Sequence, residues 1–466
     1  MPPEYSQRLS KVPFIFCIVV TLALGHAFRA VRWSFVDTSV NLSAAADTRS
    51  WHELVSDSLT KSVEYRPLLD VGTRVAYRIA GLSLGTYKIF VLLEFALSLL
   101  ILAALFHASG WRRSVASIIG LSVVVGLHTS GILFLFVPLN AYAASMLIVL
   151  AVALLTLTPW FRPYEWTLLP LTLIALLWLE IGVFIVPIAA VAWLMKAPAT
   201  TWRSVAFASL GLVIYLIARL GFSPGGVPFD SPETGFGFSS ISADEAATMF
   251  ANMPWVLWLY NIGSTLLTVL ASEPRAGRFQ FIESLLRGDV PPWMWLHVLS
   301  SIVTTAVVGM TLLGIRSRPP RDRMLAAFGG VLVIGGSVLG FLYTRDRIGL
   351  PVGIGYAMLV YVAVSALLER PGKQWQTITA GVLVAAISIC WLLRTAERYV
   401  ALRDMAWDYH LEWDRQAAAE AVAASPIVAQ MREAALTRVP ADARRDPAWT
   451  YRVFERRYEP LAESAR

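Results

Sequence analysis

The stretch WTLLPLTLIALLWLEIGVFIVPIAAVAWLM, residues 166–195, decides the fold class. Its only charged residue is Glu180, near the midpoint. A helix needs about 20 apolar residues to cross a bilayer, so this stretch predicts two crossings joined by a tight turn at Glu180. A carboxylate at membrane depth is costly and usually has a function. The alternative interpretation of Glu180 is a turn residue at the water surface.

The composition supports a membrane protein. Hydrophobic residues make up 56% of the 466 residues and charged residues only 15%, whereas water-soluble domains have about a quarter of their residues charged. A β-barrel would show short alternating segments instead of long apolar runs. We therefore predict an all-α polytopic bundle of about eleven transmembrane helices. The predicted crossings are roughly 12–27, 87–107, 114–136, 141–158, 164–179, 181–195, 203–221, 294–315, 324–343, 350–368 and 376–393.

The connectors between these runs predict the orientation, because positive residues collect on the cytoplasmic side of membrane proteins. The first run follows Arg8 and Lys11 and lacks a small-residue cleavage pattern, so we interpret it as an uncleaved helix with a cytoplasmic N-terminus. The long acid-bearing segments 28–86 and 222–293 are then extracytoplasmic. The short connectors that are basic comprise residues 112–113, 162, 196–203, 316–323 and 370–373.

Two regions need separate interpretation. The apolar segment 255–271 would place basic residues outside if it crossed, so we predict an interfacial or re-entrant helix within 222–293. The Gly- and Pro-rich residues 222–240 predict a flexible external lid. Residues 1–393 form the predicted transmembrane domain, and 394–466 a polar, helical, extracytoplasmic tail. The predicted location is a bacterial inner (plasma) membrane.

The predicted partners are lipids and lipid-linked molecules. The net charge of +7 lies largely in the short connectors and is explained by topology and acidic headgroups, so nothing favours nucleic acid. Cys17 and Cys390 lie in apolar runs, which argues against a disulfide framework or a thiolate metal site. No His-x-x-x-His pair occurs. We predict no cofactor and no metal. Binding of a divalent ion beside a single acid is the alternative that the sequence leaves open.

Asp37 is the first candidate for catalysis. It lies shortly after the first predicted helix, near the membrane surface. Partial desolvation raises the pKa of a carboxylate toward the range useful for a general base. A solvated loop acid or a helix cap is the alternative.

The segment Glu64-Tyr-Arg-Pro-Leu-Leu-Asp70 is the second candidate. Proline favours an extended backbone at the preceding residue, Arg66, and a guanidinium bonds two phosphate oxygens at once. An ion pair of Arg66 with Asp70 or Glu64 is the alternative.

The third candidate is the predicted external turn Tyr343-Thr-Arg-Asp-Arg-Ile-Gly-Leu-Pro351. Its Arg345 and Arg347 oppose the usual charge bias, which favours an anionic ligand such as a lipid phosphate. A salt-bridged turn through Asp346 is the alternative. His128, at the external end of the third predicted helix, is either a ligand-binding or a structural histidine.

The order of these landmarks resembles that of the GT-C glycosyltransferases, a class of polytopic enzymes that includes the protein O-mannosyltransferases. The resemblance covers about residues 30–393. It rests on Asp37, Tyr65-Arg-Pro-Leu68, His128, Leu179-Glu180 before Pro187, and Thr344-Arg-Asp-Arg-Ile-Gly-Leu-Pro351.

This resemblance implies inverting sugar transfer from a polyprenyl-phosphate donor to an extracytoplasmic acceptor, which is a glycan, lipid or protein. Asp37 would act as the base, and Arg345, Arg347 and Arg66 would hold the phosphate. Glu180, His128 and Asp70 would contact the sugar or the acceptor. An O-antigen polymerase or ligase, which relies on external arginines, is the alternative enzyme. A transporter is a weaker alternative, because the sequence shows no paired halves.

Overall fold

The computed structural model describes residues 10–27, 29, 50–60, 65–81, 83–107, 109–127, 140–222, 233–236, 239–242, 248–249, 253–273, 279–342, 348–369 and 373–418. Helices dominate this part of the chain. The α-helices are α1 Val12–Ala27, α2 Trp51–Thr60, α3 Pro67–Ala80, α4 Leu84–Phe106, α5 Gly110–Gly126, α6 Ala141–Thr156, α7 Leu168–Trp178, α8 Ile185–Leu194, α9 Trp202–Phe222, α10 Pro254–Leu270, α11 Gln280–Arg287, α12 Pro292–Leu313, α13 Pro320–Leu339, α14 Leu350–Glu369 and α15 Gln374–Ala418.

Short 3₁₀ helices and one strand pair complete the described elements. The 3₁₀ helices are Pro159–Thr167, Glu180–Phe184 and Ile315–Ser317. Strands β1 (Glu233–Phe236) and β2 (Ser239–Ser242) pair antiparallel, with Glu233 opposite Ser242. The predicted helical fold is confirmed apart from this hairpin, which begins inside the predicted lid 222–240 and extends two residues beyond it. Two residues separate the strands, a spacing typical of a tight hairpin and hard to distinguish from a loop in a Gly-rich segment.

Among the described residues, six helices are long and apolar enough to span a membrane: α4, α9, α12, α13, α14 and α15. Shorter apolar helices lie at Val12–Ala27, Ala141–Thr156, Glu180–Leu194 and Trp255–Leu270. These lengths and compositions are those of a membrane protein. The count of about eleven crossings stays a prediction.

Helix α14 is the centre of the bundle. Nearly all of its residues are buried, and it packs most closely against α13. At the crossing, a Cβ added to Gly329 would lie 2.7 Å from the carbonyl oxygen of Gly355, and one added to Gly355 would lie 2.6 Å from that of Gly329. Larger residues would force the helices apart, because close helix contacts in membranes depend on small residues.

An ion network joins three helices at one end of the bundle. Arg113 on α5 bonds Asp322 on α13 at 3.1 Å and Glu369 on α14 at 2.8 Å. Arg318 bonds the same two carboxylates at 3.0 and 2.6 Å. Asp322 is fully buried, so these partners are what make its charge tolerable there. We call this end of the bundle the basic end.

Several exposed tryptophans lie close in sequence to the basic connectors. Such rings collect where a membrane meets water, because they are amphipathic. These tryptophans are Trp111, Trp160, Trp166, Trp202 and Trp375.

Three predicted boundaries differ from the observed ones. Helix α5 ends at Gly126, not at 136, and residues 128–139 lie outside the described part. The predicted loop 28–86 contains α2 and α3. The predicted boundary at 393/394 falls inside α15, which continues to Ala418. The helix continues there because its next polar residues, Arg394 and Arg398, are buried against the bundle instead of leaving it.

Candidate functional site

The segment predicted to carry phosphate-binding Arg66 is anchored in the helical bundle. Pro67 begins α3, where its missing N–H costs nothing, and Arg66 is the residue that precedes the helix. The preceding Tyr65 is only 1% exposed and packs in an apolar cluster with Leu176 of α7 and Tyr215 of α9. The start of α3 is therefore held against α7 and α9.

Glu180 lies at a tight turn between α7 and α8. Leu179 is fully extended, with φ −167° and ψ 153°, and this ends α7. The chain then folds back on α7 so closely that a Cβ on Gly182 would lie 2.5 Å from the backbone nitrogen of Leu176. Glycine is required for that approach. The break predicted at Glu180 is confirmed, one residue earlier, and the crossings themselves stay a prediction.

Glu180 faces the far end of α9. The Nη1 atom of Arg219 donates to Glu180 Oε1 at 2.9 Å and to the Tyr215 hydroxyl at 2.9 Å. Tyr215 and Arg219 are four residues apart and so lie on one face of α9. The side chain of Arg219 is 14% exposed and that of Glu180 is 36% exposed. We call Tyr65, Glu180, Tyr215 and Arg219 the Glu180–Arg219 cluster.

This cluster keeps unused hydrogen-bonding capacity. Within the described residues, neither the Tyr65 hydroxyl nor Arg219 Nε has a hydrogen-bond partner, although both atoms are buried. The rings of Tyr65 and Tyr215 meet at 5.8 Å with a tilt of 60°. Burial raises the pKa of Tyr65, while the positive charge of Arg219 opposes the rise. Tyr65 is therefore a neutral hydroxyl, able both to donate and to accept.

A second buried arginine joins three helices elsewhere in the bundle. Arg394 of α15 is fully buried, and its guanidinium carbon lies 3.9 Å from the centre of the Trp391 ring. Its Nη1 donates to Ser300 at 3.0 Å and Ser301 at 2.7 Å, and its Nη2 to Ser272 at 2.8 Å. Nη1 also donates to the His297 carbonyl at 3.2 Å. We call Ser272, Ser300, Ser301, Trp391 and Arg394 the Arg394 cluster.

The Arg394 cluster lies where α10 ends. The side-chain amide of Asn261, in the middle of α10, donates to the Phe341 carbonyl, just beyond the end of α13, at 3.0 Å. Nine residues later, the Leu270 carbonyl accepts a bond of 2.6 Å from Thr305, which is in the middle of α12. The C-terminal end of α10 therefore lies within the bundle, at mid-length of α12.

The chain then returns toward the start of α12. The Phe281 amide, at the start of α11, donates to Glu273 at 3.1 Å. The Phe281 ring packs edge-on against Trp295, in the first turn of α12, with 5.0 Å between ring centres. Helix α10 thus ends inside the bundle, and the start of α11 lies beside the first turn of α12. Whether this segment is interfacial or re-entrant in the membrane stays a prediction.

The other predicted site residues are only partly covered by the structure. Asp37, His128, Arg345 and Arg347 lie outside the described residues, so their roles stay predictions. Arg66, Asp70 and Glu180 are described, and Tyr65 brings the Arg66 segment to the Glu180–Arg219 cluster. Asp70 lies in the first turn of α3. The described residues contain no group of three His, Cys, Asp or Glu side chains placed to hold a metal.

The sequence patterns did not indicate that the side chains within each of these two clusters meet. The residues concerned are Tyr65, Tyr215, Arg219 and Arg394. A signal existed for Arg219. It is a basic residue at the end of an apolar helix far from the basic connectors, the same exception that singled out Arg345. No comparable signal existed for Arg394, because an arginine that follows an apolar run normally begins a solvated segment.

Comparisons with known proteins give no further information on identity. No family model, no curated protein and no solved structure matches the chain.

Proposed function

We propose that this chain is a membrane-embedded glycosyltransferase of the GT-C type, moving a sugar from a polyprenyl-phosphate donor to an extracytoplasmic acceptor. The observation that supports it best is the convergence of two separate sequence landmarks. The Tyr65-Arg66 segment and the Glu180 turn, remote in sequence, meet on α9 at Tyr215 and Arg219. A turn that brings aromatic, acidic and basic groups together suits a polyhydroxylated substrate.

The charge distribution supports the proposed orientation. The basic end has Arg113 and Arg318, so the positive-inside rule assigns it to the cytoplasm. Helix α9 runs away from that end, and Arg219 lies in its last turn. The Glu180–Arg219 cluster is then extracytoplasmic, which is the side where a lipid-linked donor presents its sugar.

The proposed reaction needs one base and a set of cations. Asp37 takes the proton of the acceptor hydroxyl, whose oxygen attacks the anomeric carbon from the face opposite the phosphate. The new C–O bond forms as the bond to phosphate breaks, and configuration inverts. Polyprenyl phosphate leaves as a stable anion, so no general acid is needed. Arg345, Arg347 and Arg66 stabilise its developing charge.

A transfer assay tests this function. Purified protein in lipid is given a panel of radiolabelled polyprenyl-phosphate sugars, and donor consumption is compared between wild type and Asp37→Asn. We expect wild type to consume at least one donor. The variant should consume that donor more than about a hundredfold more slowly, because a positioned base usually contributes at least this factor to the rate. Asp57→Asn is the matched control, because Asp57 is an exposed acid in the same predicted loop.

The outcomes separate the competing assignments. Full activity of Asp37→Asn would exclude Asp37 as the base. Turnover that depends on external arginines and not on Asp37 would favour the polymerase or ligase class. No turnover with any donor, in protein shown to be folded, would contradict the proposal.

Cysteine labelling tests the orientation. Single cysteines are placed at Met253, before α10, and at Asp289, after α11, with Cys17 and Cys390 replaced by serine. Both positions are exposed. A membrane-impermeant maleimide applied to intact cells should label both, because a re-entrant α10 keeps its flanks on one side. A cysteine at exposed Lys373, next to the basic end, should stay unlabelled. Labelling of only one flank would show that α10 crosses.

A further inference from the structure

We propose that the Glu180–Arg219 cluster binds the hydroxyl groups of the donor's sugar ring, and not its phosphate. This inference rests on the proposed function and names the part of the substrate that this site takes.

The charge of the cluster argues against phosphate. Arg219 and Glu180 are hydrogen-bonded at 2.9 Å, so their opposite charges largely cancel. A phosphate bound to Arg219 would bring its negative oxygens beside the Glu180 carboxylate, and two acceptor groups cannot hydrogen-bond each other. A sugar hydroxyl has no such conflict, because it donates to the carboxylate and accepts from the guanidinium. Neutral polyols therefore fit the pair, whereas anions do not.

The unused polar atoms point to the same ligand. Among the described residues, the buried Tyr65 hydroxyl is without a hydrogen-bond partner, and Arg219 forms its two bonds through Nη1 alone. Buried polar groups in folded proteins are normally bonded, and exceptions call for an explanation. The hydrogen-bond donors of Tyr65 and Arg219 lie beside one partly exposed acceptor, the Glu180 carboxylate. Adjacent hydroxyls of one ring offer a matching alternation of acceptors and donors.

The walls of the cluster suit a sugar as well. The rings of Tyr65 and Tyr215 pack with leucines and a valine, so polar groups are set in an apolar frame. Small-molecule sites have this composition, in which a few polar groups fix orientation within apolar walls. A sugar ring presents C–H faces to such walls and hydroxyls to the polar groups. The partly buried apolar residues of this frame are Leu59, Leu173, Leu177, Val183 and Leu212.

The chain also places the predicted phosphate contact next to this cluster. Arg66 follows Tyr65 directly, and consecutive Cα atoms are about 3.8 Å apart. A glycosyl phosphate has its sugar and its phosphate joined through one oxygen. The Tyr65-Arg66 pair is therefore positioned to contact both parts of one donor, with Tyr65 on the sugar side.

Ligand-detected NMR tests this assignment without relying on turnover. Methyl glycosides of several hexoses and pentoses are added to purified protein in lipid nanodiscs, and saturation transfer to their ring protons is titrated. We expect at least one glycoside to bind, and Tyr65→Phe and Glu180→Gln each to weaken it about fivefold or more, the effect of losing one net hydrogen bond. Tyr164→Phe is the control, because Tyr164 is exposed near the basic end. Inorganic phosphate should not compete.

Two results would overturn the assignment. One is a glycoside affinity that stays unchanged in Tyr65→Phe and Glu180→Gln, or no glycoside binding at all. The other is competition by inorganic phosphate that Arg219→Gln removes, which would make the cluster an anion site. The failure of the proposed function looks different. In that case no donor turns over, although glycoside binding still depends on Tyr65 and Glu180.

Discussion

Arg394 is a fully buried arginine and Arg219 a partly buried one, and their surroundings differ. Arg394 lies on a tryptophan ring, and both of its terminal nitrogens donate, to three serine hydroxyls and one carbonyl. Arg219 donates through one terminal nitrogen, to one hydroxyl and one carboxylate. Arg394 is completely enclosed, while Arg219 keeps contact with solvent beside the half-exposed Glu180.

We expect this difference to distinguish a structural arginine from one that binds a ligand. A charge deep in a protein is tolerated when fixed dipoles replace its water, and the Arg394 cluster supplies such dipoles from three elements. Arg219 forms fewer bonds among the described residues and lies nearer to solvent, so it is the better candidate to contact a substrate. Burial of an arginine alone therefore does not indicate a site.

Replacing Arg394 should cause the larger loss of stability. In Arg394→Met the apolar stem is kept, but Ser272, Ser300 and Ser301 lose their shared partner inside the bundle. We expect destabilisation of about 2 kcal/mol or more, because a buried polar group that loses its hydrogen-bond partner costs about 1–3 kcal/mol. Thermal unfolding in detergent measures it.

The matched control is Arg403→Met, in the same helix. Arg403 is exposed, and its ion pair is with neighbouring Asp404. Its loss should change stability by less than about 1 kcal/mol. Equal stability of the two variants would show that the Arg394 cluster is not structural.

Replacing Arg219 should affect stability much less. In Arg219→Gln the partner Glu180 is half-exposed, so water can solvate the carboxylate that loses its pair. We expect a loss within about 1 kcal/mol, as for other partly exposed ion pairs. The same thermal unfolding experiment measures it. If Arg219→Gln lost as much free energy of unfolding as Arg394→Met, both arginines would be structural.

The sequence predicted the parts of the structure that depend on local chemistry. Apolar runs predicted the helices, and the length of the stretch 166–195 with the lone charge Glu180 at its midpoint predicted the break between α7 and α8. Charge bias predicted that 255–271 does not cross, and this stays a prediction.

The missed features depend on contacts between distant residues. Tyr65 and Tyr215 are far apart along the chain, and no pattern near either one indicates the other. Arg394 looked like the first residue of a solvated tail, because its partners Ser272 and Ser301 look like ordinary helix residues. Whether a charged residue is buried is decided by what surrounds it in space. The sequence next to Arg394 does not contain that information.

The length of α15 has a mechanical consequence. Its 45 residues form one unbroken helix about 67 Å long, more than twice the thickness of a bilayer's hydrocarbon core. Arg394 lies near the middle of this helix and donates a hydrogen bond to Ser272, just after the C-terminal end of α10. The part of α15 that follows Arg394 is continuous with the part that precedes it, so the two move together. Because Arg394 bonds Ser272, a tilt of α15 would displace the residues that follow α10.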